Sequence, residues 1–155
     1  MPAMLLKSLG LLFGLGLVAP AFAQDFVGSS SCATCHADEH KAWQGSHHDL
    51  AMQVATPETV LGDFDNASFT YNGIFTTFTR RGDDFFVTTD GEDGKLTEFP
   101  VPYVFGVYPL QQYLLPLSRG RLQALSISWD ARPKEQGGQR WYHLYPDEPI
   151  IAGDP

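Results

Sequence analysis

The chain has 155 residues, 10 of them Lys or Arg and 18 Asp or Glu, for a formal charge of −8 at pH 7. That length suits one domain with a modest core. An acidic chain without a basic patch lacks the clustered cations that phosphate contacts need, which excludes nucleic acid as a partner.

The first element is a targeting segment. Lys7 supplies a basic start, Leu9 to Val18 is an uncharged apolar run, and Ala21-Phe22-Ala23 forms a small-x-small cleavage pattern. Together these describe a secretory signal peptide over residues 1–23. The apolar run is shorter than the ~20 residues of a membrane span, so no span is expected after cleavage. Removal of Lys7 with the signal leaves a more acidic mature chain. The bacterial type of the signal predicts export to the periplasm.

Residues 24–60 carry the chemistry. Both cysteines of the chain fall within Ser31-Cys32-Ala33-Thr34-Cys35-His36. Cysteines so close serve a redox disulfide, a zinc site or covalent haem. A thioredoxin-like disulfide belongs at a helix start in a βαβ context, and only Gln24 to Ser31 precedes Cys32 in the mature chain. A structural zinc site takes four Cys or His ligands, usually in two spaced pairs, and no second C-x-x-C follows. C-x-x-C-H suits haem c. Two thiols at this spacing add to the two vinyl groups as thioethers, and the adjacent histidine offers its imidazole to the iron. Cys32 and Cys35 are therefore the expected attachment sites and His36 the proximal ligand.

Asp38 to Ala55 follows, rich in the helix formers Ala, Glu, Lys and Gln, with Gly45-Ser46 as the expected break. His40, His47, His48 and Met52 are the candidate further ligands. His40, four residues after His36 on one helical face, sits on the wrong side of a ring bound by His36. His48 is twelve residues from His36, about 18 Å along a continuous helix. It reaches the same iron only if the chain folds back near Gly45, and otherwise reaches another haem. Met52 is expected to pack in the core.

From Ser68 the period changes. Runs of Phe, Thr, Val and Tyr are punctuated by Asn72-Gly73, Arg81-Gly82-Asp83 and Gly91-Glu92-Asp93-Gly94, the pattern of antiparallel strands joined by hairpins. Arg121 to Asp130 alternates as one further strand, and Gln139 to Pro146 forms another. Pro109 to Leu117 fits helix or strand equally. The acidic pairs Asp83-Asp84 and Glu92-Asp93 are expected in solvated turns, Trp129, Trp141 and Tyr142 in the core, and His143 in a structural role. The expected fold class is α+β: a short helical c-type haem-binding segment over residues 24–60, then an antiparallel β region over residues 61–155.

The C-x-x-C-H motif followed by Trp43-Gln44-Gly45-Ser46-His47-His48 resembles the W-x-x-S-x-H pattern of the multihaem cytochrome c family, c-552/4 type. "SHHDLAMQ", "FTYNG", "PLQQYL", "GRLQALSISWD" and "GGQRWYHLYPDE" are similar to exported multihaem cytochromes that also carry tetratricopeptide repeats. The resemblance runs from about Phe26 to Pro155. It implies that His48 is a haem ligand and that it can serve a neighbouring haem. Such relatives continue into further C-x-x-C-H motifs, whereas this sequence stops at Pro155, so the expectation is a fragment or subunit of a multihaem cytochrome. The function expected is electron transfer through covalent haem, with redox partner proteins or neighbouring haem domains as partners. The alternative is a site with an open iron position, part of a multihaem oxidoreductase acting on a nitrogen oxide or peroxide. A third reading is a binding module in which haem is structural.

Overall fold

A computed structural model describes residues 27–148. The signal-peptide reading of residues 1–23 falls outside the described residues.

The chain enters through a 3-10 turn, Ser29–Thr34, and one α-helix, α1 (Ala37–Trp43). Asp38 and Glu39 in the first turn of α1, and Lys41 in the last, complement the helix dipole. The helix stops where expected: Gln44 is extended and Gly45 takes φ 69°, a left-handed value suited to glycine. Neither the 3-10 turn nor α1 buries a residue. This segment has no core of its own.

Beyond Gly45 the structure departs from the helical reading. Residues 46–51 form turns, and Met52–Val54 is a strand, β1. Met, Gln and Ala favour helix, but the preference amounts to a few tenths of a kcal/mol per residue and tertiary pairing overrides it. β1 lies in residues 24–60 yet belongs by pairing to the larger of two sheets.

Among the described residues every strand pairing is antiparallel, with short 3-10 turns at Ser118–Gly120 and Lys134–Gln136. A four-stranded sheet runs in order β2 (Ala67–Tyr71), β3 (Ile74–Arg81), β4 (Asp84–Asp90), β5 (Leu96–Pro100). Its first hairpin closes through Asn72 and Gly73, with φ 48° and 80°. Two consecutive positive φ values are what a two-residue turn needs to match strand twist. Alternation places Phe78 on β3, and Phe85 and Val87 on β4, in the core.

The second sheet holds β1, β6 (Tyr103–Phe105), β7 (Leu110–Pro116), β9 (Ile127–Asp130) and β10 (Arg140–His143) in that order, with β8 (Leu122–Ala124) also pairing with β7. Pro109–Leu117, ambiguous by sequence, supplies the central strand. Arg121 to Asp130 is two strands rather than one, split at Leu125-Ser126, because β7 pairs with β8 at one end and β9 at the other. Inner faces of the two sheets share one core, with Phe64 of the connecting loop set edge-on to Phe78, Phe85, Tyr113 and Trp141. Trp129 and Trp141 are buried, as expected, whereas Tyr142 is only half-buried.

Candidate functional site

The turn carrying the cysteines is closed on itself. The carbonyl of Cys32 accepts from the amides of Cys35 (3.3 Å) and His36 (2.9 Å), and the His36 carbonyl accepts from His40 N–H at 2.9 Å. Positions i, i+3 and i+4 of one turn are neighbours, so this backbone brings Cys32, Cys35 and His36 together. Cys32 lies in the 3-10 turn, Cys35 ends it, and His36 is the residue before the first turn of α1. All three are exposed, and the two thiols are free.

His48 is not on that helix. It occupies a separate turn whose order comes from two polar residues. The Ser46 hydroxyl accepts from the Asp49 amide at 3.3 Å, while the Asp49 carboxylate accepts from the Gly45 amide at 2.8 Å. Leu50 N–H donates back to the Ser46 carbonyl at 3.0 Å. This arrangement is a variant of the reciprocal capping box. It gives a local physical reason for a serine two residues before His48: the hydroxyl initiates the turn that presents both histidines. His47 and His48 are exposed, and the His47 ring lies 6.3 Å from that of Tyr108. Asp49 is the member sequence reasoning missed, although the S-x-x-D spacing of Ser46 and Asp49 carries the pattern.

The other candidates separate. His40 is half-buried with its ring 6.1 Å from Trp43. His143 stacks on Tyr71 at 4.0 Å, and its Nδ1 accepts from the Tyr145 amide at 3.1 Å, so it has a packing role between β10 and β2. Met52 departs from the core placement expected of it: it is 55% exposed, because β1 turns its side chain to the outer face of the sheet. Asp83, Glu92 and Asp93 are in exposed turns and pair with Arg80, Arg121 and Lys95, while Asp84 opens β4 and is also exposed.

The residues fit a covalently attached haem in three respects. The thiols are free and accessible, they stand on one closed turn, and a histidine follows at the spacing for a proximal imidazole. Among the described residues no three His, Cys, Asp or Glu side chains gather as a metal cluster. A haem iron asks the protein for only one or two ligands, since the porphyrin provides four. Among the described residues no helix is long and apolar enough to cross a membrane. Compared with known proteins, no family model, no curated protein and no solved structure matches the chain.

Proposed function

We propose that this chain is an exported, periplasmic c-type haem protein that transfers electrons through one haem held as thioethers by Cys32 and Cys35. The observation that carries the reading is the closed turn presenting two free thiols and His36 side by side. Bound haem would supply a one-electron ferric–ferrous couple. The chain's own residues hold and tune it. The two cysteines prevent loss of the group outside the cell. The imidazole of His36 is the proximal ligand, and His48 is the candidate for a second imidazole. Two nitrogen ligands would keep the iron low in the haem potential range and leave no open position for substrate. Electron donors and acceptors are redox partner proteins or neighbouring haem domains.

A second reading follows from the placement of His48 on its own exposed turn beyond the end of α1. If that histidine serves another haem, the iron at His36 keeps an open position suited to nitrogen oxide or peroxide chemistry. Mature protein co-expressed with a cytochrome c maturation system decides the primary claim. Its intact mass after acid–acetone extraction is expected to exceed the apo mass by one haem. Colour passing into the organic phase would refute covalent attachment. Ferric low-spin signals in EPR would then favour electron transfer, and high-spin signals the open site.

A further inference from the structure

The outer face of the larger sheet is apolar and open along β1 and β6, while Leu114 of β7 on the same face is buried. β-pairing puts Val54, Tyr103, Leu114 and Ala124 in one row across four strands, through the partners Val54↔Tyr103, Tyr103↔Leu114 and Leu114↔Ala124. The adjoining row is Met52, Phe105 and Gln112, and the row on the other side is Pro116 and Leu122. Cross-strand partners point to the same side of a sheet, so these residues form one surface. Four strands at ~4.8 Å and two further side-chain repeats at ~6.8 Å make it about 14 Å on each side. Five large apolar residues on it stay open: Met52 55%, Val54 61%, Tyr103 37%, Phe105 42% and Leu122 46%. None of the residues in these rows is charged, in a chain whose net charge is −8.

We infer that this face, centred on Met52, Val54, Tyr103 and Phe105, is the wall on which the haem attached at Cys32 and Cys35 packs, an inference resting on the covalent-haem reading above. Three observations choose haem over a second copy or a separate protein. First, the haem-bearing segment ends at the edge of this surface. The Ala51 carbonyl accepts from the Gly106 amide at 2.7 Å, the His47 ring lies against Tyr108, and the next residue is Met52. A group tethered at Cys35, seventeen residues before Met52, is held at high local concentration beside the face. Second, the 3-10 turn and α1 bury no residue. They offer no apolar pocket, so a ring attached there needs its cover from elsewhere. Third, an uncharged apolar surface about 14 Å across suits an apolar macrocycle, whereas a charge-steered redox protein would find no complementary group on it.

Haem is therefore bound by one element and buried by another. Cys32, Cys35 and His36 would hold the haem, and β1 and β6 would exclude water from it. Exclusion of water around a haem is one of the protein's means of setting its potential.

Hydroxyl-radical footprinting of the haem-loaded mature chain, beside its Cys32→Ser/Cys35→Ser variant, tests the inference. Oxidation rates of Met52, Tyr103 and Phe105 are expected to fall at least fivefold in the loaded chain. Phe75, 51% exposed on the smaller sheet, should react equally in both and reports that the fold is retained. Phe105→Asp in the loaded chain is expected to restore Met52 reactivity and weaken the Soret circular dichroism while haem content by mass is unchanged. A loaded chain with confirmed covalent haem but unprotected Met52, Tyr103 and Phe105 overturns the inference and leaves the haem reading standing. Protection that is equal in both forms and grows with protein concentration also overturns it, assigning the face to a second copy. Absence of covalent haem by mass overturns the inference together with the reading beneath it.

Discussion

Phe78 and Trp141 stack face to face, with ring centroids 3.5 Å apart and planes 7° from parallel. One comes from β3 and the other from β10, so this pair joins the two sheets. Phe64 meets both rings edge-on, at 5.6 and 5.7 Å, and Trp129 meets Trp141 in the same manner. Aromatic pairs contribute roughly 0.5–1.5 kcal/mol beyond the area they bury. The contact decides whether the smaller sheet is an appendage or part of one core, and the full burial of Phe78 answers for one core.

Phe78→Ala is accordingly expected to destabilise the protein by about 3–5 kcal/mol, the cost of deleting a buried aromatic side chain. Chemical unfolding should remain a single transition, followed alike by tryptophan fluorescence and far-UV circular dichroism. Two separated transitions in the wild type would show that the sheets unfold independently.

A second prediction concerns Gln111, a fully buried amide on β7. Its Nε2 donates to the carbonyls of Thr59 (2.9 Å) and Gly106 (3.2 Å), and its Oε1 accepts from Leu61 N–H (2.8 Å) and the Tyr113 hydroxyl (3.0 Å). The Tyr113 hydroxyl in turn accepts from the Gly62 amide at 3.0 Å. Burial pushes the Tyr113 phenol well above its ordinary pKa, which favours the protonated hydroxyl that donates to Gln111. Gln111→Leu keeps the volume and strands these partners, at about 1–3 kcal/mol for each buried group left unpaired. A loss of about 3 kcal/mol or more in denaturant unfolding is expected. Tyr113→Phe should cost less, with amide exchange rising first at Gly62.

The third prediction is a pH dependence. Asp130, buried at the end of β9, receives three bonds from Arg132: side-chain Nε at 2.9 Å, a terminal nitrogen at 2.7 Å and the backbone amide at 3.1 Å. The Arg132 side-chain bonds hold its carboxyl below the ordinary value, the main cause, outweighing the opposing effect of burial. A lowered folded-state pKa adds stability that is complete above the unfolded value, about 3.9, and is lost as pH falls through the lower folded value. Asp130→Asn should be less stable than wild type at pH 7, and the difference should shrink as pH drops below about 4. Melting temperatures of both proteins between pH 2 and 7 test this; a constant gap across that range would contradict it.

Much of the β architecture was legible because its punctuation is local. Asn72-Gly73 and the two later glycine turns need positive φ, and a strand between such turns alternates visibly. β1 was not legible, because Met52 to Val54 carries helix-forming residues and becomes a strand only through Phe105, Val104 and Tyr103, about fifty residues away. The role of Gln111 was equally hidden. A glutamine inside "PLQQYL" reads as polar surface until the Thr59 and Gly106 carbonyls are known to converge on it. That Cys32, Cys35 and His36 share one turn was legible in their spacing alone. The turn bearing His48 could be read only in part, since its clamp, Asp49, follows the motif.

That clamp frames the last prediction, that His48 and not Met52 provides the second axial ligand. Ser46 and Asp49 hold the turn from which His48 projects, and imidazole binds iron firmly in both oxidation states. Met52 no longer has core packing to occupy it, being on the open face beside Phe105, so its thioether is the competitor to test. The end of α1 at Trp43 removes the straight-helix separation of about 18 Å that would have kept His48 from the iron of His36. In the haem-loaded chain, His48→Ala is expected to convert low-spin ferric haem to high-spin, and Met52→Leu to leave the spectrum unchanged. Ser46→Ala weakens the turn by about 1 kcal/mol, the usual loss of a capping hydroxyl, and should produce a minor high-spin fraction that grows on warming. The reverse pattern, with Met52→Leu changing the spectrum and His48→Ala silent, would transfer the ligand to β1. A wild type already high-spin, with both variants silent, would instead mean that His48 serves a haem outside this chain.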